Sequence, residues 1–211
     1  MYHQTCYLTR PTHPHAQLIK LRIDTDVNEP KVEEVDVFRL HEVVHKFTGE
    51  IGSLCFVVRR PGWFFCREQA LTLSVLAAHF GEYIQEIPIF GVVKETGVDD
   101  AGLAEFAKEY FPFPLYRDQD FALYRALGNR TAPASYIRNP FFAFHVVITT
   151  WHRLAKKQIG GNMKGEGIVQ GGIIIFNKRG SPIAMYQEET GLDLPVVDLV
   201  NALETIRRLQ E

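Results

Sequence analysis

The segment of residues 57–80, VVRRPGWFFCREQALTLSVLAAHF, carries the pattern of a strand, a turn and a helix in succession. Its first residues end an apolar run that is typical of a buried strand, and two arginines, a proline and a glycine then predict a turn. The remaining residues are apolar nearly all round and are followed by Gly81, which indicates a buried helix and its end. Cys66 stands in the first turn of this helix, so the sequence places one thiol at a strand-to-helix turn.

Strand and helix patterns alternate on both sides of this turn. Before it, the alternating segments 18–24 and 31–38 predict a hairpin, and a short helix at 39–47 and the strand 54–58 follow. After it we predict, in chain order, strand 87–94, helix 99–110, strand 114–118, helices 120–128 and 140–157, strands 173–176 and 182–188, and helix 195–209. Alternating units imply parallel strands, and the last two strands form an antiparallel hairpin. The sequence therefore predicts an α/β protein of thioredoxin-like fold, with a central mixed sheet, helices on both faces, and a C-terminal β-hairpin plus helix.

The bulk composition fits a single domain of ordinary size. The chain has 211 residues, 46% of them hydrophobic, and we divide it into an N-terminal extension with a hairpin, residues 1–37, and a thioredoxin-like domain, residues 38–211. The net charge of −2 indicates no basic face for nucleic acid, and no apolar run is long enough to span a membrane. Because the N-terminal residues lack the apolar core of a signal peptide and three cysteines are too few for a disulfide framework, we expect a cytoplasmic protein.

Two opposing effects act on the thiol of Cys66. The unpaired N–H groups and the dipole at a helix start favour a thiolate, and so do three arginines that are close in sequence: Arg59, Arg60 and Arg67. Three aromatic residues would instead wall the thiol off and raise its pKa: Trp63, Phe64 and Phe65. Two interpretations stay open, since a free cysteine is also a common small core residue. Cys66 is either a nucleophile or one more apolar side chain under the sheet.

Four sequence blocks in fixed order resemble the peroxiredoxin-like 2 family. They are VVRRPGW..C.E around Cys66, VVKE (92–95), LYRDQDFALYRALG (115–128) and GNMKGEGIVQGGIIIF (161–176), and the resemblance covers roughly residues 38–208. This family is related to the alkyl hydroperoxide reductase and thiol-specific antioxidant proteins. The resemblance implies a thioredoxin-like fold and antioxidant thiol chemistry. One branch, the prostamide/prostaglandin F synthases, reduces endoperoxides with electrons from NADPH.

The chain departs from the pattern of this family at one decisive position. Members usually carry cysteine or selenocysteine where this chain has Trp63, and Cys66 matches their second cysteine. Tryptophan can neither attack a peroxide nor form a disulfide, so the two-thiol cycle is unavailable within the motif. A one-thiol route remains, in which Cys66 becomes a sulfenic acid that an external thiol reduces. In this route Arg60 would stabilise the thiolate and the leaving oxygen, and Trp63, Phe65 and Gly171 would contact the substrate.

The single-thiol hypothesis also sets the expected partners. We expect no bound cofactor, a thioredoxin or glutathione-type reductant supplied from NADPH, and a small peroxide or lipid-like substrate. The glycine-rich segment 160–172 is expected to turn beside the thiol and to allow close backbone approach at Gly171. The alternative is a catalytically silent thioredoxin-fold module that uses Trp63 as a hydrophobic contact for a partner.

A zinc hydrolase is a third alternative. HEVVH, residues 41–45, matches the spacing of a zinc-protease motif, in which His41 and His45 share one face of a helix. No later residue stands out in the sequence as the third ligand that such a site needs. We therefore predict that the chain has no metal site. Cys55 is expected in the core, and Cys6 in the N-terminal segment is not expected to pair with Cys66.

Overall fold

The structure is a computed structural model that describes residues 16–25, 30–48, 51–79, 87–131, 153–189 and 192–208. Its seven strands are β1 (Gln17–Asp24), β2 (Lys31–Arg39), β3 (Gly52–Val57), β4 (Ile89–Val93), β5 (Leu115–Asp118), β6 (Gly172–Asn177) and β7 (Pro182–Gln187). Its helices are α1 (Leu40–Thr48), α2 (Phe64–His79), α3 (Asp100–Glu105), α4 (Ala122–Ala126) and α5 (Val196–Arg208). A π-helical turn, Phe106–Tyr110, continues α3. None of these helices is long and apolar enough to cross a bilayer.

All seven strands form one mixed sheet in the order β2-β1-β5-β4-β3-β6-β7. The three central strands β5, β4 and β3 are parallel. Each helical connection carries the chain back across the sheet, so that the next strand starts at the same end as the one before it. The hairpins β1–β2 and β6–β7 add antiparallel strands on the two sides. The predicted mixed sheet and both predicted hairpins are therefore confirmed.

Two hydrophobic clusters cover the two faces of the sheet. Side chains alternate along the fully buried strand β3, so Leu54 and Phe56 face one cluster, whereas Cys55 and Val57 face the other. The first cluster holds residues of α2, α3 and α5, and the second holds residues of α1 and α4. Helices thus lie on both faces, as the sequence predicts.

The helix predicted at 99–110 differs from the structure in its second half. The backbone changes from α to π geometry at Phe106, and the N–H of Phe111 donates to the carbonyl of Phe106 at 2.9 Å. The wider turn brings Phe106 and Phe111, both fully buried, into a stack with their ring centres 5.7 Å apart. The π-helical turn therefore places two large rings together in one core.

Two other sequence predictions meet the limits of the described residues. Of the helix predicted at 140–157, residues 153–156 are helical and residues up to 152 lie outside the described part. The division between an extension, residues 1–37, and a domain, residues 38–211, stays a prediction. Strand β1 pairs directly with β5, so the hairpin of the proposed extension shares the sheet of the domain.

Candidate active site

A tight turn between β3 and α2 carries the thiol. The N–H of Trp63 donates to the carbonyl of Arg60 at 3.1 Å, and the N–H of Arg67 donates to the carbonyl of Trp63 at 3.1 Å. The buried Arg67 guanidinium ties the turn to its surroundings through the carbonyl of Pro61 at 3.1 Å and the carboxylate of Glu105 at 2.7 Å. These bonds hold Cys66 in the first turn of α2.

Cys66 is 1% exposed and belongs to the core cluster beneath the sheet. Burial raises the pKa of its thiol to about 12, and the negative charge of Glu188 acts in the same direction. Backbone hydrogen bonds from Arg60 and Arg59 and the guanidinium charge of Arg59 act to lower this pKa. Burial and the opposing effect of Arg59 and Arg60 are present as foreseen from the sequence, whereas the guanidinium of Arg67 is bound to Pro61 and Glu105; burial outweighs the cations. The thiol is therefore protonated at neutral pH in this conformation.

Trp63 lies over the two arginines of the turn. The guanidinium carbon of Arg60 is 4.2 Å from the indole ring centre, and that of Arg59 is 4.5 Å from it. The indole also stacks on Phe65 at 6.1 Å between ring centres and packs against the cluster that contains Cys66. Its Nε1 is buried and has no hydrogen-bond partner in the described part of the chain. Trp63 and the buried Phe65 thus close the site with apolar surface.

The guanidinium groups of Arg59 and Arg60 are bound by the glycine-rich loop, residues 160–171. Arg60 Nη1 donates to the carbonyls of Met163 at 2.6 Å and Gly165 at 3.2 Å. Arg59 Nε donates to the carbonyl of Gly167 at 2.6 Å. Arg59 is 4% exposed and Arg60 is 6% exposed. The two guanidinium groups therefore bind the loop over the turn and do not face solvent. The role predicted for Arg60 in peroxide chemistry stays a prediction.

Glycines in this loop allow very close packing. A Cβ atom at Gly167 would lie 2.8 Å from Cζ of Arg60, and one at Gly171 would lie 2.1 Å from the carbonyl oxygen of Val57. The close backbone approach predicted at Gly171 is therefore present. A substrate contact at Gly171 stays a prediction. Above the turn the loop borders an open depression of about 400 Å³, lined by Arg59, Arg60, Trp63, Met163, Gly165, Glu166, Gly167 and Ile168.

Lys94 and Glu166 form a second ion pair near the thiol that the sequence reasoning missed. The Lys94 side chain is 2% exposed, pairs with Glu166, and donates to the carbonyl of Val169 at 3.0 Å. Burial lowers the pKa of Lys94, and the hydrogen bond to Glu166 opposes that shift. Lys94 directly follows β4, which is parallel to β3. The carboxyl ends of adjacent parallel strands lie at the same edge of a sheet. The predicted parallel pairing of β3 and β4 could therefore have placed Lys94 near the turn that carries Cys66.

Glu188 is a further buried group that the sequence did not single out. Its carboxylate is 1% exposed and lies 3.3 Å from Nη1 of Arg59. It follows β7, far from the turn in sequence, and the long-range pairing of the hairpin brings it there. No local pattern around Glu188 signals this position.

The remaining sequence candidates lie away from this site. His41 and His45 stack edge to face on α1 with ring centres 6.5 Å apart. Within the described ranges, no group of three histidine, cysteine, aspartate or glutamate side chains is placed to hold a metal ion. Cys55 is buried in the opposite core cluster, and Cys6 lies outside the described residues. Nothing in the described part supports the zinc alternative.

Comparison with known proteins identifies the family. The sequence profile of the AhpC/TSA antioxidant enzyme family matches residues 72–190, more than half of the chain. Peroxiredoxin-like 2A of Danio rerio is 27% identical over 158 residues, which cover 75% of this chain and 69% of that protein. Peroxiredoxin-like 2A of Homo sapiens is 25% identical over 213 residues, which cover 91% of this chain and 86% of that protein. The profile match begins after Cys66, so it includes neither Cys66 nor Trp63.

Two solved structures show the same fold at low sequence identity. The crystal structure of Enterococcus faecalis AhpC superposes with a TM-score of 0.52 at 13% identity, covering 99% of this chain and 95% of that one. The reduced 2-Cys peroxiredoxin of Plasmodium vivax superposes with a TM-score of 0.51 at 9% identity, covering 90% and 78%. Together these findings support a peroxiredoxin-like redox role. The chain belongs to the AhpC/TSA antioxidant enzyme family, among the peroxiredoxin-like 2 proteins, and has their thioredoxin-like fold.

Proposed function

We propose that the protein is a thiol-dependent peroxide reductase that reacts through Cys66 alone. The observation that carries this proposal is the set of anion-stabilising groups at the sulfur: backbone N–H groups of Arg59 and Arg60, and the Arg59 guanidinium. The sulfur itself lies in the first turn of a long helix, where the helix dipole adds to the effect of these groups. A cysteine that only fills the core needs none of them.

The reaction balances with one thiol and an external reductant. The Cys66 thiolate attacks one peroxide oxygen, the O–O bond breaks, and the other oxygen leaves as an alkoxide that takes up a proton. The sulfur is oxidised to sulfenic acid while the peroxide is reduced to an alcohol. A donor thiol then forms a mixed disulfide with Cys66 and releases water, and a second thiol restores Cys66 and leaves as part of a disulfide. The guanidinium of Arg60 would stabilise the leaving oxygen.

Reaction requires a change in the cover of the thiol, because Cys66 is buried and protonated in the described conformation. Trp63 is the side chain best placed to move, since it is half-buried and its indole N–H has no partner in the described part of the chain. In the open form, Trp63 and Phe65 would provide apolar walls and Gly171 a backbone contact. Such walls suit a small organic or lipid-like peroxide.

The electron donor and compartment follow from the chemistry. The described cysteines, Cys55 and Cys66, are free, and a free reactive thiol persists in a reducing compartment such as the cytoplasm. Thioredoxin or a glutathione-type thiol, kept reduced by NADPH, would supply the electrons. The protein itself would bind no cofactor.

A catalytically silent binding module is the second candidate, and one observation favours it. Cys66 is 1% exposed and the pKa of its thiol is raised to about 12, mainly by burial. A thiol that never ionises would be a core residue, and Trp63 would then serve as a contact for a partner.

Detection of sulfenic acid after peroxide treatment separates the two candidates. We expect a sulfenic acid adduct on Cys66 in the wild type and in Cys55→Ala, and no adduct at this position in Cys66→Ser. Mass spectrometry of the peptide that contains Cys66 makes the measurement specific. If native wild-type protein shows no adduct while the same peroxide oxidises a small control thiol, the enzyme proposal fails and the silent module stands.

A further inference from the structure

Arg59 lies between the thiol and a buried carboxylate. Its backbone N–H and its guanidinium charge both favour a thiolate at Cys66. The same guanidinium approaches the carboxylate of Glu188, with Nη1 3.3 Å from Oε1. The side chains of this ion pair are 4% and 1% exposed, so water screens the attraction very little. One buried cation is thus shared by two groups that can carry negative charge.

Backbone hydrogen bonds hold Glu188 in this position. The N–H of Gly171 donates to Oε2 of Glu188 at 3.1 Å, and the N–H of Glu188 donates to the carbonyl of Gly171 at 3.0 Å. Gly171 in turn lies against the carbonyl of Val57, two residues before Arg59. The carboxylate is therefore fixed between the glycine-rich loop and the turn that carries the thiol.

The charges around Cys66 come from four parts of the fold. In the described part of the chain, the titratable groups that interact with the sulfur include Arg59, Arg60, Lys94, Tyr124 and Glu188. Glu188 raises the pKa of the thiol, and it does so second only to burial. It also engages the guanidinium that would otherwise stabilise the thiolate most directly.

We propose that Glu188 is a positioning residue that keeps Cys66 protonated in two ways. Its carboxylate binds the Arg59 guanidinium, and its negative charge near the sulfur opposes the formation of a thiolate. This inference rests on the proposed role of Cys66 as the reacting thiol. Glu188 forms no bond to the peroxide in this proposal. Removing the charge of Glu188 leaves the Arg59 guanidinium, still bound to the Gly167 carbonyl, without this competing anion, and so favours the thiolate.

The test measures how fast iodoacetamide alkylates Cys66 in the native full chain between about pH 6 and pH 11, a range that brackets ordinary thiol ionisation. Glu188→Gln keeps the size and hydrogen-bonding groups of the side chain but removes its charge. We expect the alkylation rate to begin rising at lower pH and to be about tenfold higher at pH 8, the change in thiolate fraction that one pKa unit gives. The matched control is Glu189→Gln at the exposed neighbouring position, for which the profile stays that of the wild type.

Two outcomes would overturn the inference. Equal rates in the wild type and Glu188→Gln, including no reaction in either, contradict it. If both react with the same pH profile, only the role of Glu188 fails, whereas no reaction in either at any pH also contradicts the proposed function. The wild-type profile is a further test that does not depend on folding of the variant. A wild-type midpoint below that of an ordinary thiol, about 8.5, would contradict the inference on its own.

Discussion

The two described cysteines have nearly the same exposure but different surroundings. Cys66 is 1% exposed and Cys55 is 0% exposed, and burial raises the pKa of both thiols. Around Cys55 the charge of Asp118 raises the pKa further. Around Cys66 the N–H groups of Arg59 and Arg60 and the Arg59 guanidinium oppose the shift. By exposure alone, both thiols would be core residues. They differ in the charged and N–H groups around them, because only Cys66 has groups that stabilise a thiolate.

The difference comes from where each thiol lies in its element. Cys55 is in the middle of β3, opposite Phe90 of β4 and Ile174 of β6, so the backbone groups around it are used in the sheet. Cys66 lies at a helix start, where the first N–H groups have no partner within the helix. A thiol at that position meets donors that a thiol inside a strand does not. This contrast explains why the strand-to-helix turn suits thiol chemistry.

Removal of each sulfur in turn should separate the two cysteines most clearly. We expect Cys66→Ser to lose thiol-dependent peroxide reduction by at least about 100-fold, because the nucleophile is gone. Cys55→Ala should retain activity, since Cys55 belongs to the opposite core cluster. Peroxide consumption with thioredoxin or glutathione as donor measures both. Equal activity in all three proteins would show that the two thiols do not differ in function.

Removing the indole that covers Cys66 should change the reactivity of one thiol and leave the other unchanged. Trp63→Ala removes the indole that packs over the turn, so we expect alkylation of Cys66 at pH 8 to rise about tenfold, with the rate proportional to the exposed thiolate fraction. Cys55 should keep its wild-type rate, because it lies on the other face of the sheet. Peptide mass spectrometry after timed alkylation gives both rates in one sample. A rise at both cysteines would indicate general loosening of the fold.

The smallest expected effect is a loss of stability at alkaline pH. Both thiols have a pKa that is higher in the folded state than in the unfolded chain, near 8.5, so their stabilisation is complete below that value and declines as pH rises toward the folded pKa. Between pH 7 and pH 10 each thiol should account for about 1–2 kcal/mol of lost unfolding free energy.

Urea unfolding at the two pH values checks this last prediction. Cys55→Ala and Cys66→Ala should each reduce the alkaline loss by a similar amount, because both thiols stay protonated in the fold at pH 10. In this respect the two sulfurs behave alike, although their expected reactivity differs. A larger reduction for one variant would mean that the other thiol ionises in the folded protein by pH 10.

Several parts of the structure were predictable from local patterns. The continuous apolar run of β3, the apolar residues of α2 and the alternation in β1 and β2 each report local geometry, and the corresponding elements are present. The π-helical turn was not predictable, because no local pattern records the stacking of Phe106 on Phe111 that accompanies it. Lys94 could have been placed from the predicted parallel pairing of β3 and β4, whereas Glu188 comes near the thiol through long-range pairing that no local pattern records. The sequence predicted that nearby arginines would favour a thiolate at Cys66 and that burial would oppose it. It could not predict which effect is larger, because the burial depends on how Trp63 packs.

The pairing of β1 with β5 has a consequence for recombinant work on this chain. Leu40, at the start of α1, donates its N–H to the carbonyl of Ala16 at 2.7 Å, so the hairpin and the first helix are also joined. A shortened protein that begins at residue 38 would leave β5 as a bare sheet edge, and such edges recruit strands from other molecules. Expression designs that retain residues 16–39 should therefore yield the better-behaved sample.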